Sequence, residues 1–314
     1  METNYLKDKF EEFQAVLIDK MARHTINWKP KFRTKLALFM SKIAIALPFC
    51  RYEFTINSMM EHLKISRDEA KQKTEHFFVN FLLNAFEMAS LRYISDEELQ
   101  NRIILEGAEY LKEVKELGKG GVVISLHFGP WELIPQWLTL NGFPMTTVVR
   151  RQNNKYVDKW FSEMRTCHGA KITDSGFAIR EILRELKKGG VIALVSDQDN
   201  GKAGIFVKFF EKYASAPTGP AIISLKTKAP ILPMAIFPNY EGKHLLKIYK
   251  PIYPENYENT VVGQQKLTQE YTNLLETIVR ESPEQWFWVH RRWKTQPQDA
   301  PDNAYAKIVL ESNY

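Results

Sequence analysis

Short apolar runs alternate with amphipathic stretches between residues 106 and 296. Each run is five to seven residues long and is bounded by polar residues, glycine or proline, which predicts buried strands. The stretches between the runs carry apolar residues at helical spacing. The predicted strands are 122–126, 145–149, 191–195, 231–237 and 245–249, and the predicted helices are 154–167, 176–188 and 219–228. This alternation predicts an α/β sandwich around a central sheet.

Residues 1–105 have a helical pattern instead. Near the N-terminus, Phe10, Phe13, Leu17 and Met21 recur at helical spacing. A basic collar then precedes the apolar segment 36–49, and it consists of Lys29, Lys31, Arg33 and Lys35. Fourteen helical residues span about 21 Å, which is less than the ~30 Å of a bilayer core. The segment therefore predicts either an interfacial helix on anionic lipid or an ordinary buried helix.

Two serines mark further helix starts. Ser66 precedes Glu69, and Ser95 precedes Glu98, at the spacing of a capping box. The first of these helices continues into residues 77–91, which are apolar nearly all round. Such a helix must be buried in the core, or must line an apolar groove.

Composition and charge describe a globular protein with a mild basic excess. The 314 residues are 44% hydrophobic and 25% charged, with a formal net charge of +6. This excess favours anionic partners without choosing among phosphorylated sugars, lipid headgroups, an acidic protein and nucleic acid. Cys50 and Cys167 are the only cysteines. A disulfide framework is therefore not expected, and a reducing compartment is.

The stretch 121–132 carries the clearest candidate chemistry. His127 ends an apolar run, and Pro130 then suits the first position of a helix with Glu132 in its first turn. On one continuous helix the two side chains would lie roughly 140° apart, so they can meet only across a bend. The carboxylate would then accept from one imidazole nitrogen, while the other nitrogen takes a proton from a hydroxyl group. The alternative is a structural histidine beside an ordinary helix-start carboxylate.

Polar residues also follow other predicted strands. His127, Arg150 and Asp197 each follow one, and the carboxyl ends of strands are where α/β sheets collect their sites. Asp197 lies in the loop SDQDNGKAG (196–204), where Asp, Asn and Gly after a strand favour a plain turn.

Five blocks of sequence resemble, in the same order, the lipid A late acyltransferases, which are the lauroyl and myristoyl transferases of lipopolysaccharide assembly. The hallmark of that family is His, four residues, then Asp or Glu, here His127 and Glu132. The blocks are EGAEYLKEVKELGKGGVVISLHFGPWEL (106–133), SDQD (196–199), FVKFFEKYASAPTG (206–219), APILP (229–233) and EQWFWVHRRWK (284–294). Many family members have Asn where this chain has Pro130, so any contact from that Asn side chain is absent here.

The resemblance implies a glycerolipid-acyltransferase-like αβα sandwich with a mixed central sheet. Residues 1–105 would form a helical membrane-associated region, 106–296 the acyltransferase core, and 297–314 a C-terminal tail. The implied reaction moves a fatty acyl group from an acyl carrier protein thioester, or acyl-CoA, to a hydroxyl of a phosphorylated lipid A precursor. The implied location is the cytoplasmic face of the inner membrane, with peripheral or monotopic attachment. No metal or organic cofactor is expected.

The resemblance also suggests roles for single residues. His127 would be the general base and Glu132 its orienting partner, without a covalent acyl-enzyme. Arg165 would stabilise the oxyanion, and Arg150 and Arg151 would join it in binding an acceptor phosphate. Asp197 would sit beside the dyad and position an arginine or the acceptor.

Two alternatives stay open. The same fold could acylate another glycolipid or a glycerophospholipid, and a basic protein without activity could bind a membrane or nucleic acid. The C-terminal block mixes aromatic and basic residues, as a nucleic-acid strip or a membrane interface does. The residues concerned are Trp286, Trp288, His290, Arg291, Arg292 and Trp293. We expect a membrane surface as partner and not nucleic acid.

Overall fold

A seven-stranded sheet lies at the centre of the computed structural model, which describes residues 2–174 and 178–311. The strands of the described residues are β1 (Ile103–Glu106), β2 (Gly121–Ser125), β3 (Met145–Val149), β4 (Lys171–Asp174), β5 (Val191–Val195), β6 (Ile205–Phe209), β7 (Lys212–Ala216), β8 (Ile231–Phe237) and β9 (His244–Ile248). The α-helices are α1 (Glu2–Thr25), α2 (Pro30–Ala46), α3 (Tyr52–Leu63), α4 (Arg67–Ser90), α5 (Asp96–Asn101), α6 (Ala108–Glu116), α7 (Leu133–Leu140), α8 (Lys155–Thr166), α9 (Ala178–Lys187), α10 (Gly219–Thr227), α11 (Val261–Glu281) and α12 (Ala304–Glu311). All five predicted strands are confirmed to within a residue, and so are the helices at 154–167 and 219–228. The start of the helix predicted at 176–188 lies outside the described residues.

The strand order of the sheet is β1-β9-β8-β2-β5-β3-β4. β2 lies between β8 and β5 and runs parallel to both, whereas β8 and β9 are antiparallel. All five residues of β2 are buried, as is typical of a central parallel strand. β6 and β7 form a separate antiparallel hairpin. The predicted mixed central sheet is therefore confirmed.

Helices cover both faces of this sheet. Val122 and Ile124 point to one face and pack in the same apolar cluster as residues of α10 and α11. Val123 points to the other face and packs with residues of α7 and α8. Alternate residues of a strand face opposite sides, so one continuous apolar run serves both layers. This arrangement confirms the predicted αβα sandwich.

Four strands were not predicted, and neither were the helices α3, α6 and α12. β1 and β4 are four-residue edge strands with a single fully buried residue each, and such short strands give a weak apolar signal. β1 crosses the predicted boundary between residues 105 and 106 and pairs in parallel with β9. α12 lies in the predicted tail 297–314 and packs on α11 and β6.

The N-terminal helices pack against the core. α1 contacts α8 and α4, and α2 and α3 also contact α4. The two predicted helix starts are confirmed, because Ser66 Oγ accepts the Glu69 N–H and Ser95 Oγ accepts the Glu98 N–H. No residue of 77–91 is exposed, so the predicted buried helix is confirmed as well. In the part of the chain that the structure describes, every helix is too short or too polar to span a bilayer.

Candidate active site

A tight loop connects β2 to α7 and carries His127 at the carboxyl end of the sheet. Gly129 adopts a φ of +57°, and a Cβ there would lie 2.2 Å from the Ile236 carbonyl oxygen. Only glycine fits this position, because both the conformation and the space exclude a side chain. The Leu133 N–H donates to the Pro130 carbonyl, and α7 begins at Leu133. Glu132 therefore lies just before the helix and not in its first turn as predicted.

The carboxylate that contacts the imidazole of His127 belongs to Asp197. Asp197 Oδ1 lies 2.7 Å from His127 Nδ1, and Asp197 Oδ2 accepts the His127 backbone N–H at 2.9 Å. The two residues meet because β2 and β5 are parallel neighbours in which Ser125 is opposite Val195. Their carboxyl ends consequently project to the same point at the edge of the sheet.

Glu132, the predicted partner of His127, forms an ion pair with Arg165 instead. Arg165 Nη2 lies 2.6 Å from Glu132 Oε1, and Arg165 Nε lies 3.0 and 3.1 Å from the two carboxylate oxygens. The bend that separates Glu132 from His127 directs its side chain toward the last turn of α8, where Arg165 lies. The contact predicted between Glu132 and the imidazole is thus replaced by contacts of each residue with a different partner.

The environment of His127 fixes which nitrogen can act as a base. Because Nδ1 faces a carboxylate, the neutral imidazole keeps its proton there, and Nε2 has the free lone pair. Burial lowers the pKa of His127, but the charge and hydrogen bond of Asp197 raise this pKa by more, so it lies above the ordinary value. Burial also raises the pKa of Asp197, but His127 lowers it by more, and the carboxylate stays ionised.

A cleft of about 450 Å³ opens beside Nε2 of His127. Glu132, Arg165 and Gln198 contribute polar groups to it, and Gln198 Nε2 lies 3.5 Å from His127 Nε2. The ends of β2, β3 and β5 supply small and apolar side chains. The cleft can therefore hold an apolar chain next to a base and a cation. Among the described residues, no group of three or more His, Cys, Asp or Glu side chains is arranged to hold a metal ion.

The predicted arginines occupy three different settings. Arg165 lines the cleft with its guanidinium against Glu132, and the exposed Arg150 lies at the rim. Arg151 is also exposed, but it pairs with Asp158 at 3.0 Å and with Asp174 at 3.2 Å, away from the cleft lining. The structure thus brings His127, Glu132, Arg165 and Arg150 to one cleft, with Asp197 directly behind His127.

The aromatic and basic C-terminal block is mostly core. Trp286, Trp288 and Arg292 are at most 1% exposed, so the proposed stacking strip or membrane interface is wrong for them. Arg292 donates from Nη1 to the Ser215 carbonyl and lies over the ring of Phe209. It is therefore not on the rim of the cleft. The block also contacts the site, because Trp286 Nε1 donates to Asp197 Oδ2. The sequence patterns did not predict this hydrogen bond, although the block is one of the five that resemble the family and could have been expected near the site for that reason.

Comparisons with known proteins extend this description. Residues 64–295 match the model of a family described as bacterial lipid A biosynthesis acyltransferase. The chain is 26% identical over 261 residues to the lipid A biosynthesis palmitoleoyltransferase of Escherichia coli (strain K12), covering 81% of this chain and 83% of that protein. It is 25% identical over 190 residues to the phosphatidylinositol mannoside acyltransferase of Mycolicibacterium smegmatis, covering 59% and 60%. The crystal structure of the 1-acyl-sn-glycerophosphate acyltransferase from Thermotoga maritima aligns over 82% of this chain and 100% of that chain, with a TM-score of 0.37 and 18% identity.

Proposed function

We propose that this chain, which belongs to the bacterial lipid A biosynthesis acyltransferase family, transfers a fatty acyl group from an acyl carrier protein thioester to a hydroxyl of a lipid A precursor. Family membership makes the chain an acyltransferase and supports secondary acylation of lipid A in general. The carrier protein donor and the roles of single residues are our proposal. The observation that carries it is the placement of His127, with Nδ1 against Asp197 and Nε2 beside the cleft.

In the proposed reaction, His127 is the general base. Nε2 takes the proton of the acceptor hydroxyl as the oxygen attacks the thioester carbonyl carbon. The tetrahedral intermediate then expels the carrier thiolate, which takes the same proton from the imidazolium. An ester bond forms, a thioester bond breaks, and no acyl-enzyme is required. Asp197 orients the imidazole and stabilises its positive charge, which is the role that the sequence had suggested for Glu132.

Arg165 and Glu132 act as a second pair in this proposal. Glu132 fixes the guanidinium through Nε and one Nη, which leaves the other Nη nitrogen for the substrate. Placed in the same cleft as His127, Arg165 stabilises the negative charge on the carbonyl oxygen in the tetrahedral intermediate. Arg150, on the rim, binds a phosphate of the acceptor. The phosphate contact expected of Arg151 stays a prediction from the sequence.

The acceptor is embedded in a bilayer, and we place the protein on the cytoplasmic face of the inner membrane through α1 and α2. Among the described residues, twelve of the eighteen exposed large hydrophobic side chains lie between Leu6 and Phe49. Five exposed lysines in this stretch make no ion pair with any described residue, and they are Lys20, Lys29, Lys31, Lys35 and Lys42. Apolar side chains flanked by lysines suit an anionic lipid surface.

Contacts between α1 and α8 connect this apolar surface to the cleft. Asn154 caps α8 and donates to the Glu11 carbonyl, and Tyr156 donates to Asp8 at 2.9 Å. Arg150 and Gln152, just before Asn154, line the cleft. The exposed Phe10 and Phe13 of α1 therefore lie on a helix that is fixed beside the rim, where a lipid acceptor would enter.

The reaction is tested by mass spectrometry of lipid products. Purified protein is incubated with acyl carrier protein and coenzyme A thioesters and with three acceptors: a phosphorylated lipid A precursor, its dephosphorylated form, and a mannosylated phosphatidylinositol. We expect the carrier protein thioester and the phosphorylated precursor to react fastest, and His127→Ala to lower the rate by about 10² or more. Preference for the mannoside would assign the chain to another glycolipid. Wild-type rates with His127→Ala would refute the proposed mechanism.

A further inference from the structure

The Asp197 carboxylate has a third hydrogen-bond donor, from a segment that the proposed mechanism does not use. Trp286 Nε1 donates to Asp197 Oδ2 at 2.8 Å, and both side chains are buried. Oδ2 therefore accepts from the indole and from the His127 backbone N–H, whereas Oδ1 faces His127 Nδ1. Both oxygens are thus held, and the carboxylate cannot rotate without losing a hydrogen bond in a place that water does not reach.

The indole itself is rigid. Its ring packs against Phe209, Trp288 and Trp293, with ring centroids 4.7 to 6.0 Å away. Neighbouring aromatic rings at these distances leave a buried side chain one rotamer. The donor therefore stays at a fixed position when the charge on the imidazole changes.

The same segment also holds the backbone of His127. Trp286 and Phe128 form an antiparallel bridge, in which the Phe287 N–H donates to the His127 carbonyl at 3.1 Å. The Gly129 N–H donates to the Gln285 carbonyl at 3.2 Å. Residues 285–287 consequently fix the main chain of the proposed base, while the Trp286 side chain fixes the carboxylate behind it.

We infer that Trp286 is a positioning residue for acyl transfer, acting through Asp197 on the orientation and basicity of His127. This inference rests on the proposed function. Trp286 does not line the cleft, so it acts without touching substrate. A donor to a carboxylate favours the charged form, and its loss makes the carboxylate a stronger proton acceptor. A stronger acceptor at Nδ1 holds the imidazolium more tightly and raises the pH at which His127 becomes a free base.

Trp286→Phe tests the inference, because it keeps an aromatic ring and removes the N–H. Trp288→Phe is the matched control. Trp288 is equally buried in the same cluster, but its indole donates to the Pro283 carbonyl at 2.7 Å and not to Asp197. We expect Trp286→Phe to lower kcat at pH 7 about tenfold with little change in KM, the scale of one hydrogen bond to a charged group. The acid limb of the kcat profile should move to higher pH. Trp288→Phe should leave that limb in place.

A second measurement does not depend on turnover. The Nδ1 proton of His127, shared with a carboxylate, gives a far-downfield proton resonance that can be assigned by its loss in His127→Gln. We expect this resonance to shift in Trp286→Phe and to stay in Trp288→Phe. If Trp286→Phe is unstable, a benzothienylalanine at position 286, which replaces the indole N–H by sulfur, keeps the ring shape.

The outcomes separate the inference from the function on which it rests. Equal pH profiles and equal resonances in the two variants would make Trp286 a packing residue only, even with His127→Ala inactive. Wild-type rates in His127→Ala would instead overturn the proposed base, and the inference with it. A double variant with Asp197→Asn adds a further criterion, because Trp286→Phe should cost little more once the carboxylate is gone.

Discussion

Glu132 and Arg165 form a closely bonded ion pair, with two guanidinium nitrogens within 3.1 Å of the carboxylate oxygens. The side chains are only 9% and 20% exposed. Burial lowers the pKa of Arg165, but the charge and hydrogen bonds of Glu132 raise it by more, so the cation persists in the cleft. The pair therefore supplies a fixed positive charge beside His127, although neither residue contacts the imidazole.

Replacing Glu132 alone should lower the free energy of unfolding more than replacing both Glu132 and Arg165. Glu132→Ala leaves the Arg165 cation partly buried without its partner, which costs about 3 kcal/mol of unfolding free energy or somewhat more. Activity should fall by roughly 10² or more, because the guanidinium loses its orientation. Denaturant unfolding and kcat of the single and double variants provide the check. If Glu132→Ala and Arg165→Ala were additive in stability, the pair would not be coupled in solution.

His127 and Asp197 should behave as one catalytic unit. We expect His127→Ala and Asp197→Asn each to lower kcat by about 10² or more, and the double variant to lose little beyond the worse single variant. Asp197→Asn keeps the shape of the side chain, so circular dichroism should be unchanged. Asp199→Asn is a suitable control, since Asp199 accepts from Thr295 and Gly201 and not from His127. Independent, multiplicative losses would argue against a shared role.

A second histidine predicts how stability depends on pH. His168 is buried, with Nδ1 2.5 Å from Asp96 Oδ1 and Nε2 2.9 Å from the Leu91 carbonyl. Burial lowers the pKa of His168, but the hydrogen bonds with Cys167 and Asp96 outweigh this and raise the pKa to about 9. A raised pKa in the folded state stabilises the protein fully below pH 6.5, and this stabilisation is lost as pH rises through 9.

Because Asp96 is largely exposed and screened by solvent, we expect the loss to be only about 1–2 kcal/mol of unfolding free energy between pH 6.5 and 9.5. Guanidinium denaturation at several pH values measures it. In His168→Gln the decline over this range should be smaller by that amount. An identical decline in wild type and variant would show that His168 does not titrate in this window.

The surface of α1 and α2 should bind lipid through both its apolar and its basic residues. Replacing Phe10 and Phe13 together by Glu should weaken binding to vesicles that contain phosphatidylglycerol by about tenfold or more, since two exposed aromatic side chains lose their apolar contact. Replacing Lys31 and Lys35 by Glu should weaken it mainly at low salt. Leu310→Glu is the control, because Leu310 is also an exposed apolar residue but lies on α12. Vesicle cosedimentation measures each variant.

The same variants connect lipid binding to activity. With a detergent-dispersed acceptor the Phe10 and Phe13 double variant should keep wild-type kcat, and with acceptor in vesicles its rate should fall. Loss of activity with both forms of the acceptor would indicate a damaged fold. A wild-type rate with acceptor in vesicles would show that this surface has no membrane role.

The apolar pattern was enough to predict five of the seven strands of the central sheet, but not which residues contact each other within the site. β2, β5 and β8 are continuous apolar runs, and burial on both faces requires such runs, so their bounds could be predicted. His127 and Asp197 were both candidates because each follows such a strand. That they contact each other depends on β2 and β5 being neighbours in the sheet, which no local spacing encodes. Spacing instead favoured Glu132, which is close in sequence but bends toward α8.

The hydrogen bond between Trp286 and Asp197 was harder still to predict from the sequence. The two residues are 89 positions apart, and an aromatic residue in a basic block equally suits an exposed surface. Only the tertiary packing of residues 285–287 against the loop after β2 distinguishes the two possibilities.

Trp286 and Phe287 follow every strand of the central sheet in the sequence, and this order affects when the enzyme becomes active during its synthesis. All seven strands of the central sheet lie between residues 103 and 248, so a nascent chain can leave the ribosome with the sheet complete and residues 285–287 still in the exit tunnel. In that state the His127 carbonyl lacks the hydrogen bond from the Phe287 N–H, and the Asp197 carboxylate lacks the one from the Trp286 indole. Acyl transfer would therefore begin only after residues 285–287 have left the tunnel and docked beside the loop after β2.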